Sequence, residues 1–266
     1  MADFELTENI PFHETIVDAH KLFAQHDIYQ WIFEYINPTS EMKILDLGCG
    51  LGIQCFKLIE KFPRSKIIGL DISQELLKKA RFQALERGMD ITFIAHSMDD
   101  PLPFESEEFD LVTCNYSLHY VRNLHFSISE IHRVLEKDGC VFATGPDLNN
   151  KPEFFELIKR LTGRPIPFMP APKRFASDAL PVFKKLFAKV EYYTLKNPLV
   201  FYKMKPFIKY LLASLIEDRL FWLDVLPDAE AIQVLCNMAE KEISHTIEVE
   251  GSFTITKAVG GILGYK

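Results

Sequence analysis

The chain has 266 residues, a formal net charge of −7, and 48% hydrophobic and 25% charged residues. This length fits one large α/β domain or two small ones and is enough to bury a substantial core. The negative charge leaves no broad positive field for a phosphate backbone, so nucleic acid is not an expected partner. The N-terminal sequence lacks the pattern of a secretory signal, and no apolar run approaches the roughly 18 residues of a membrane span.

Cysteine, histidine and acidic residues show neither a disulfide framework nor a metal site. The five cysteines form no C-x-x-C pair and are odd in number. They are interpreted as reduced thiols, most of them packed as small apolar residues, in a cytoplasmic protein. No metal is expected, because no cluster of ligand residues has convincing spacing.

The first elements in chain order are two short helices within residues 12–37. Ile28 and Ile32 lie on one face of the second helix, and Asn37-Pro38 stops it. The histidines of this region (His13, His20 and His26) are interpreted as solvated surface residues.

Five apolar strands then alternate with helices, including a helix from about Ser127 to Leu135. This pattern predicts an α/β fold with a parallel sheet covered on both faces. Ligands of such sheets lie at the carboxyl ends of the strands, near the switch point in strand order. The predicted strands are Lys43–Leu47, Lys66–Leu70, Ile91–Ala95, Phe109–Cys114 and Cys140–Thr144.

The pattern changes after Gly145. Proline-rich residues 162–175 predict a loop, Lys189–Leu195 a strand, and residues 204–245 helices. The β-like stretch Ser252–Tyr265 contains Gly260-Gly261, which predicts a bulge or a tight approach.

A glycine loop follows the first strand in the sequence Asp46-Leu-Gly48-Cys-Gly50-Leu-Gly52. Glycines permit positive φ and let a ligand approach the backbone. A dinucleotide site would have G-x-G-x-x-G, with pyrophosphate at the helix start. Here the third glycine comes one position early, and Asp46 would repel a pyrophosphate while suiting the ammonium group of an amino-acid-bearing cofactor.

Asp71 ends the second strand, about 20 residues after the loop, where a ribose-binding carboxylate is expected. Asp71 does not discriminate between a dinucleotide and an amino-acid-bearing cofactor, because both carry a ribose. The remaining alternative is that the glycines only form a tight turn.

The loop resembles the first motif of class I S-adenosylmethionine-dependent methyltransferases, and Leu70–Ser73 resembles their second. Residues 104–121 and 132–146 resemble the second half of the same core, so the resemblance covers residues 41–146. It is greatest to the small-molecule branch that includes ubiquinone- and biotin-pathway enzymes. It implies a Rossmann-like seven-stranded sheet of order 3-2-1-4-5-7-6 with an antiparallel last strand.

The resemblance also implies S-adenosylmethionine as cofactor and a set of contacts. Asp46 and the loop backbone would hold the methionine part, Asp71 the ribose, and Ile72 the adenine. The backbone carbonyl of Asn115 would face the amino end. The implied cofactor residues are Asp46, Gly48, Cys49, Gly50, Gly52, Asp71, Ile72, Ser97, Met98 and Asn115.

The adenine-binding stretch departs from the family pattern. Ser97 stands where an acid is expected. Asp99 is one candidate to substitute for it, and Ser97 with the Met98 backbone is the other. This departure affects the expected cofactor affinity and not the identity of the cofactor.

His119 is the candidate catalytic base, because it lies just beyond the fourth strand and its ordinary pKa of about 6.5 suits work near neutral pH. The alternative is a packing residue or a hydrogen bond to the backbone. Tyr116 and Tyr120 are candidate substrate residues, or ordinary half-buried aromatics.

The sequence predicts a single methyltransferase domain over residues 1–266, with an N-terminal helical cap at 1–40 and the cofactor core at 41–146. Residues 196–250 are interpreted as a helical lid, with a buttress or an oligomer surface as alternatives. Its aromatic residues would suit an apolar acceptor or a core (Phe201, Tyr202, Phe207, Tyr210, Phe221 and Trp222).

The expected function is methyl transfer to an O, N or C atom of a small metabolite. A nicotinamide-dependent oxidoreductase and a non-catalytic cofactor-binding domain are the alternatives. The expected partner is a small-molecule acceptor. Neither nucleic acid nor a membrane is an expected partner, and the sequence is compatible with an oligomer.

Overall fold

The structure is a computed structural model that describes residues 10–36, 41–167 and 169–266. The chain folds into two compact units. The helical unit comprises Met1–Asp27, Asn149–Met169 and Lys196–Ala258, and the sheet unit comprises Ile28–Leu148, Pro170–Leu195 and Val259–Lys266. The single domain, the cap and the lid stay predictions.

Seven strands form one sheet with the order β3-β2-β1-β4-β5-β7-β6. Strands β1 to β5 pair in parallel, and β7 runs antiparallel to β5. The strands are β1 Lys43–Leu47, β2 Lys66–Asp71, β3 Ile91–Ala95, β4 Phe109–Asn115, β5 Leu135–Pro146, β6 Lys189–Phe201 and β7 Phe253–Tyr265. The predicted Rossmann-like order and the antiparallel seventh strand are confirmed.

Helices precede, connect and follow these strands. The α-helices are α1 Ile10–Phe23, α2 Ile28–Tyr35, α3 Ile53–Lys61, α4 Gln74–Glu86, α5 Leu124–Val134, α6 Pro152–Thr162, α7 Pro170–Lys173, α8 Leu180–Leu186, α9 Met204–Glu217, α10 Arg219–Trp222 and α11 Ala229–Glu250. The two N-terminal helices are confirmed, whereas the predicted stop at Asn37-Pro38 lies outside the described residues.

Several boundaries differ from the sequence prediction. Strand β5 begins at Leu135 instead of Cys140, and β6 ends at Phe201 instead of Leu195. Helix α5 begins at Leu124, because the Asn123 side chain accepts a hydrogen bond from Phe126 N at 3.1 Å and caps it. The predicted loop over 162–175 is wrong in its second half, where α7 continues into a π-helical segment, Arg174–Ala179. Prolines fit there because the first helical turn needs no N–H donor.

Both faces of the sheet unit bury apolar side chains, as expected of a parallel sheet covered by helices. In β1, Ile44 packs on one face and Leu45 and Leu47 pack on the other. At Gly260 and Gly261 the register of β5 with β7 is continuous, so there is no bulge there. A Cβ added at Gly261 would lie 2.8 Å from the Trp31 ring, which confirms a tight approach.

The helical unit has its own core, formed mainly by α1, α6, α9 and α11. Of the aromatic residues considered for acceptor binding, four lie at 0–1% exposure in this core: Phe201, Phe207, Tyr210 and Trp222. Tyr202 is 65% exposed, and Phe221 is partly buried. None of the helices in the described ranges is long and apolar enough to cross a membrane.

Candidate active site

The glycine loop joins β1 to α3 and packs on the end of β2. Gly48 N and Cys49 N both donate to the Leu70 carbonyl, at 2.7 and 3.0 Å. Gly48, Gly50 and Gly52 have φ values of +67°, +51° and +75°, which L side chains rarely adopt. The loop therefore requires glycine at these positions for its backbone conformation alone.

The three glycines differ in what surrounds them. A Cβ on Gly48 would lie 2.3 Å from Ser117 Cβ, and one on Gly52 would lie 3.0 Å from the Phe93 ring. A Cβ on Gly50 would meet only Leu76 Cδ1, at 3.9 Å. Gly48 and Gly52 thus allow close packing, whereas Gly50 borders open space in which a ligand can contact the backbone.

Asp71 ends β2 with its carboxylate held against this loop. Its Oδ2 accepts from Gly50 N and its Oδ1 accepts from Ser73 N, both at 2.8 Å. A carboxylate can accept more than two hydrogen bonds, so a group held in this way can also accept from a ligand hydroxyl. The next residue, Ile72, is 59% exposed and offers an apolar surface beside the carboxylate.

Asp46 is buried under the loop, at 1% exposure. It accepts hydrogen bonds from Thr113 Oγ1 at 2.8 Å and from Cys55 Sγ at 3.3 Å. Burial raises the pKa of this carboxyl to about 7, against the two hydrogen bonds that lower it. This geometry favours a role in fixing β1 to β4, and a contact of Asp46 with the cofactor stays a prediction.

The residues after β3 include both candidates for binding the adenine edge, Asp99 and Ser97 with the Met98 backbone. Asp99 Oδ1 accepts from Arg122 N at 2.6 Å, so this carboxylate is directed towards the start of α5. Ser97 Oγ accepts from Asp99 N at 3.1 Å, and Met98 is partly buried. The arrangement favours Ser97 with the Met98 backbone over Asp99.

Beyond β4 the backbone is strained at the carboxyl edge of the sheet. Tyr116 has φ of +55°, although it is not a glycine, and its N donates to the Thr144 carbonyl at 3.0 Å. The Asn115 side-chain oxygen accepts from Thr144 Oγ1. Strain of this kind concentrates at functional sites, where the surrounding structure maintains it.

The structure brings together the three residues predicted for catalysis and acceptor contact. His119 lies in the 3₁₀-helix Leu118–Tyr120 and is 7% exposed. Its ring centroid is 4.2 Å from that of Tyr120 and 6.4 Å from that of Tyr116. Tyr120 is 58% exposed, so it is available for contact with a ligand.

Gln54, in the first turn of α3, was not predicted from the sequence. It is 4% exposed, and neither Oε1 nor Nε2 has a hydrogen-bond partner among the described residues. Gln54 is the second residue of α3 and follows Gly52 of the glycine loop by two residues. In the sequence, Gln54 could have been noticed as a polar residue between the apolar residues Ile53 and Cys55.

These features fit a nucleoside that carries an amino acid. Asp71 can accept from ribose hydroxyls, Ile72 can cover a base, and Gly50 leaves room along the backbone. The buried amide of Gln54 provides an unused donor and acceptor beside the loop. No group of three or more His, Cys, Asp and Glu side chains in the described ranges has a metal-binding arrangement.

Comparisons with known proteins show similarity to methyltransferases. Residues 38–163 match a family model described as a methyltransferase domain. The demethylmenaquinone methyltransferase of Lactococcus lactis is 33% identical over 140 residues, covering 51% of this chain and 56% of that protein. The chain spans about half the length of the curated relatives it matches.

Two solved structures show the same fold. The YcgJ protein of Bacillus subtilis has a TM-score of 0.60 at 19% identity, over 90% of this chain and 97% of that one. Phosphoethanolamine N-methyltransferase 2 of Haemonchus contortus has a TM-score of 0.53 at 15% identity, over 90% of this chain and 52% of that one. The latter was solved with phosphomonomethylethanolamine and S-adenosylhomocysteine.

The sheet order, the glycine loop and the family match agree with one another. Over residues 38–163 the chain is similar to methyltransferase domains, and it has the fold of solved methyltransferases. This similarity indicates S-adenosylmethionine as the cofactor. The resemblance seen in the loop and in Leu70–Ser73 is thereby confirmed.

Proposed function

We propose that the protein transfers a methyl group from S-adenosylmethionine to an O, N or C atom of a small metabolite. The observation that carries this proposal is the open space at Gly50 beside the anchored Asp71 carboxylate. When bound, the cofactor supplies an activated methyl group whose bond to sulfur breaks as the bond to the acceptor forms. The protein's contribution is then mainly alignment of the reacting atoms.

Residues at the carboxyl edge of the sheet are proposed to contact the cofactor. Asp71 accepts from the ribose hydroxyls, Ile72 covers the adenine, and Ser97 with Met98 lies at the adenine edge. The Asn115 carbonyl receives the amino end. Gly48, Cys49 and Gly52 shape the loop, while Gly50 gives the ligand access to it. The support for these roles is the common position of the residues at the carboxyl ends of β1 to β4.

His119 is proposed as the base for an acceptor that must lose a proton. A buried imidazole can hold such a proton when a second group orients it, and the Tyr120 ring packs against it. Tyr116 and Tyr120 are proposed to line the acceptor's path. The strained backbone at Tyr116 supports a functional role for this segment.

Calorimetry with S-adenosylhomocysteine tests the cofactor site directly. The wild type should bind, and Asp71→Ala should lower the affinity at least tenfold. Glu75→Ala is the matched control, because Glu75 is an exposed acid in the first turn of α4. Absence of binding by the wild type, or equal affinity in Asp71→Ala, would contradict the site.

Transfer is tested by incubating the protein with methyl-labelled cofactor and a cell extract, followed by mass spectrometry of labelled products. A labelled metabolite supports the enzyme. Cofactor binding without any labelled product would favour a non-catalytic binding domain. Tight binding of NADH, measured by its fluorescence, would favour the oxidoreductase instead.

We also infer a small-molecule acceptor, no nucleic-acid partner and a cytoplasmic location, with an oligomer still allowed. The net charge of −7 supports the exclusion of nucleic acid. All five cysteines are free, which supports a reducing compartment. The electrophoretic mobility of DNA and RNA in the presence of the protein tests the exclusion of nucleic acid. Sedimentation of the protein tests its oligomeric state.

A further inference from the structure

An acid that has no role in the proposed function lies directly after β5. Asp147 follows Pro146, the last residue of that strand, so it lies at the carboxyl edge of the sheet. Ligands of open α/β sheets bind outside this edge. Asp147 is partly exposed and Leu148 is 56% exposed, so a small molecule can reach this position from solvent.

The Asp147 carboxylate is held by uncharged donors. Its Oδ2 accepts from Tyr192 Oη at 2.8 Å, and its Oδ1 accepts from Leu148 N at 2.6 Å. In the part of the chain that the structure describes, no lysine, arginine or histidine forms an ion pair with it. A carboxylate can accept more than two hydrogen bonds, so Asp147 has both capacity and negative charge left for a ligand.

Tyr192 reaches Asp147 from β6 by crossing β7, which lies between β6 and β5. The register pairs Gly145 of β5 with Gly260 of β7, so two residues without side chains lie next to each other. A Cβ added at Gly260 would lie 2.4 Å from Tyr192 Oη, and one added at Gly145 would lie 2.5 Å from the Phe175 ring. The phenol can therefore pass over β7 only because position 260 is a glycine.

The Tyr192 hydroxyl is the donor in this pair. Burial raises the pKa of Tyr192 above its usual range, and the hydrogen bond to Asp147 raises it further. The phenol therefore keeps its proton at neutral pH and donates it in a hydrogen bond to the carboxylate. This bond orients one oxygen of Asp147 without neutralising the charge of the group.

Two helical segments lie beside the end of β5 and contact each other. They are the 3₁₀-helix Leu118–Tyr120 and the π-helical segment Arg174–Ala179. The Arg174 guanidinium donates to the carbonyls of Val121 and Arg122, which fixes the second segment to the first. Single π-helical turns occur frequently at functional sites. The proposed base and acceptor residues thus share one region of the sheet unit with the end of β5.

The groups in this region favour a cation over an anion. Tyr120 is 58% exposed, and Tyr116 precedes it on the same strained segment. An aromatic ring face attracts an ammonium group, and a carboxylate accepts a charge-assisted hydrogen bond from it. Asp147 would repel a carboxylate or a phosphate.

We propose that Asp147 binds a protonated amine of the methyl acceptor, and that Tyr192 is the positioning residue that orients this carboxylate. The proposal rests on the proposed function and deepens it, because it makes the acceptor an amine. The ammonium is the anchoring group and keeps its protons. Tyr116 and Tyr120 offer ring faces to the acceptor, and Asp147 and Tyr192 take no part in cofactor binding.

Ligand-observed NMR with two matched probes tests this site. Benzylamine carries an ammonium group at neutral pH, and benzyl alcohol has nearly the same shape without the charge. With S-adenosylhomocysteine present, benzylamine should bind the wild type at millimolar concentration and at least tenfold more tightly than benzyl alcohol. Equal binding of the two probes, or no binding of benzylamine, would overturn the proposal.

Variants then test which residues hold the amine. Asp147→Asn keeps an acceptor for Tyr192 and removes the charge, so it should weaken benzylamine binding at least tenfold and leave benzyl alcohol unaffected. Asp138→Asn is the matched control, since Asp138 is an exposed acid at the opposite end of β5. Tyr192→Phe should lower the preference for benzylamine over benzyl alcohol severalfold, which a merely structural role would not do.

Thermal unfolding and S-adenosylhomocysteine binding confirm that these variants are folded. An unchanged preference for benzylamine in Asp147→Asn, or an equal loss in Asp138→Asn, would refute binding at Asp147.

Product chemistry separates this proposal from the proposed function. If the extract experiment yields a labelled product without an amine, the amine site is refuted and methyl transfer stands. If benzylamine binds through Asp147 but the wild type does not bind S-adenosylhomocysteine, the cofactor assignment fails while the amine site stands. A labelled amine whose labelling falls tenfold in Asp147→Asn supports both.

Discussion

Replacing Gly50 by alanine is the sharpest test of the glycine loop. A left-handed conformation costs a non-glycine residue about 1–2 kcal/mol. Since the added Cβ would meet nothing closer than 3.9 Å, no further steric cost is expected. For a chain of this size the melting temperature should fall by roughly 2–8 °C. The new methyl group would project into the space assigned to the cofactor, so S-adenosylhomocysteine affinity should fall at least tenfold.

Gly48→Ala should behave differently, although its backbone conformation is similar. Its Cβ would lie 2.3 Å from Ser117 Cβ and 2.4 Å from Ser117 Oγ, and that hydroxyl donates to the Leu47 carbonyl at 3.0 Å. Overpacking of about 1–3 kcal/mol adds to the strain, giving a total loss of about 2–5 kcal/mol. A second change, Ser117→Gly, should recover the overpacking part and leave the strain.

Thermal unfolding and calorimetry with S-adenosylhomocysteine measure the two effects separately. The expected order of stability is wild type, Gly50→Ala, Gly48→Ala, whereas Gly50→Ala should show a large loss of affinity while still folded. The reasoning is refuted if Gly50→Ala binds as the wild type does, or if it is less stable than Gly48→Ala.

The remaining predictions concern four side chains of the same site. Asp71→Asn should weaken S-adenosylhomocysteine binding and lower stability by about 1–3 kcal/mol, because an amide nitrogen cannot accept one of the two backbone hydrogen bonds; calorimetry and unfolding check both. The folded-state pKa of Asp46, about 7, lies above its ordinary 3.8, so the folded state binds more protons between these values. Stability should therefore fall as pH rises from about 4 to about 7, and Asp46→Asn should flatten that trend in a pH series of melting temperatures; an equal slope in both proteins would contradict this. Gln54→Leu should raise or preserve the melting temperature, because it removes unsatisfied buried groups, while cofactor affinity falls. His119→Ala should lower turnover by about 10²–10⁴ at nearly constant cofactor affinity, and an unchanged rate would leave it a packing residue.

The sheet and its ligand edge could be predicted because their signals are local. Each strand of the cofactor core is a short apolar run next to a turn, and the order of such units restricts the topology. The glycine spacing and Asp71 likewise carry their chemistry in a few neighbouring residues. In the structure Asp71 Oδ2 accepts from Gly50 N at 2.8 Å, so both parts of the pattern lie together, while the ribose contact stays a prediction.

The elements after β5 were predicted less well, because tertiary packing overrides local pattern there. Four prolines over residues 162–175 favoured a loop, yet Pro170 and Pro172 lie within a helical turn. The following π-helical segment places Phe175 against Gly145, 2.5 Å from the position of an added Cβ. Such a contact depends on residues far apart in the chain, so it produces no periodic pattern in the sequence.

The surroundings of the N-terminal histidines were predicted only in part, for a similar reason. His13 and His26 were interpreted as surface residues, and the His13 side chain is 43% exposed while it contacts Glu217. His20 was interpreted in the same way, but burial lowers its pKa. The residues that bury His20 are distant from it in the chain, so the local sequence does not indicate them.

The position of β7 has a consequence for synthesis on the ribosome. In the sheet it lies between β5 and β6, although it follows both in the chain. Strands β1 to β5 can pair as they emerge, but β5 keeps an open edge until residues 253–265 have left the exit tunnel. An open edge of this kind templates pairing with other chains. A nascent or truncated chain that ends before Phe253 should therefore aggregate or require a chaperone, however stable the finished protein is.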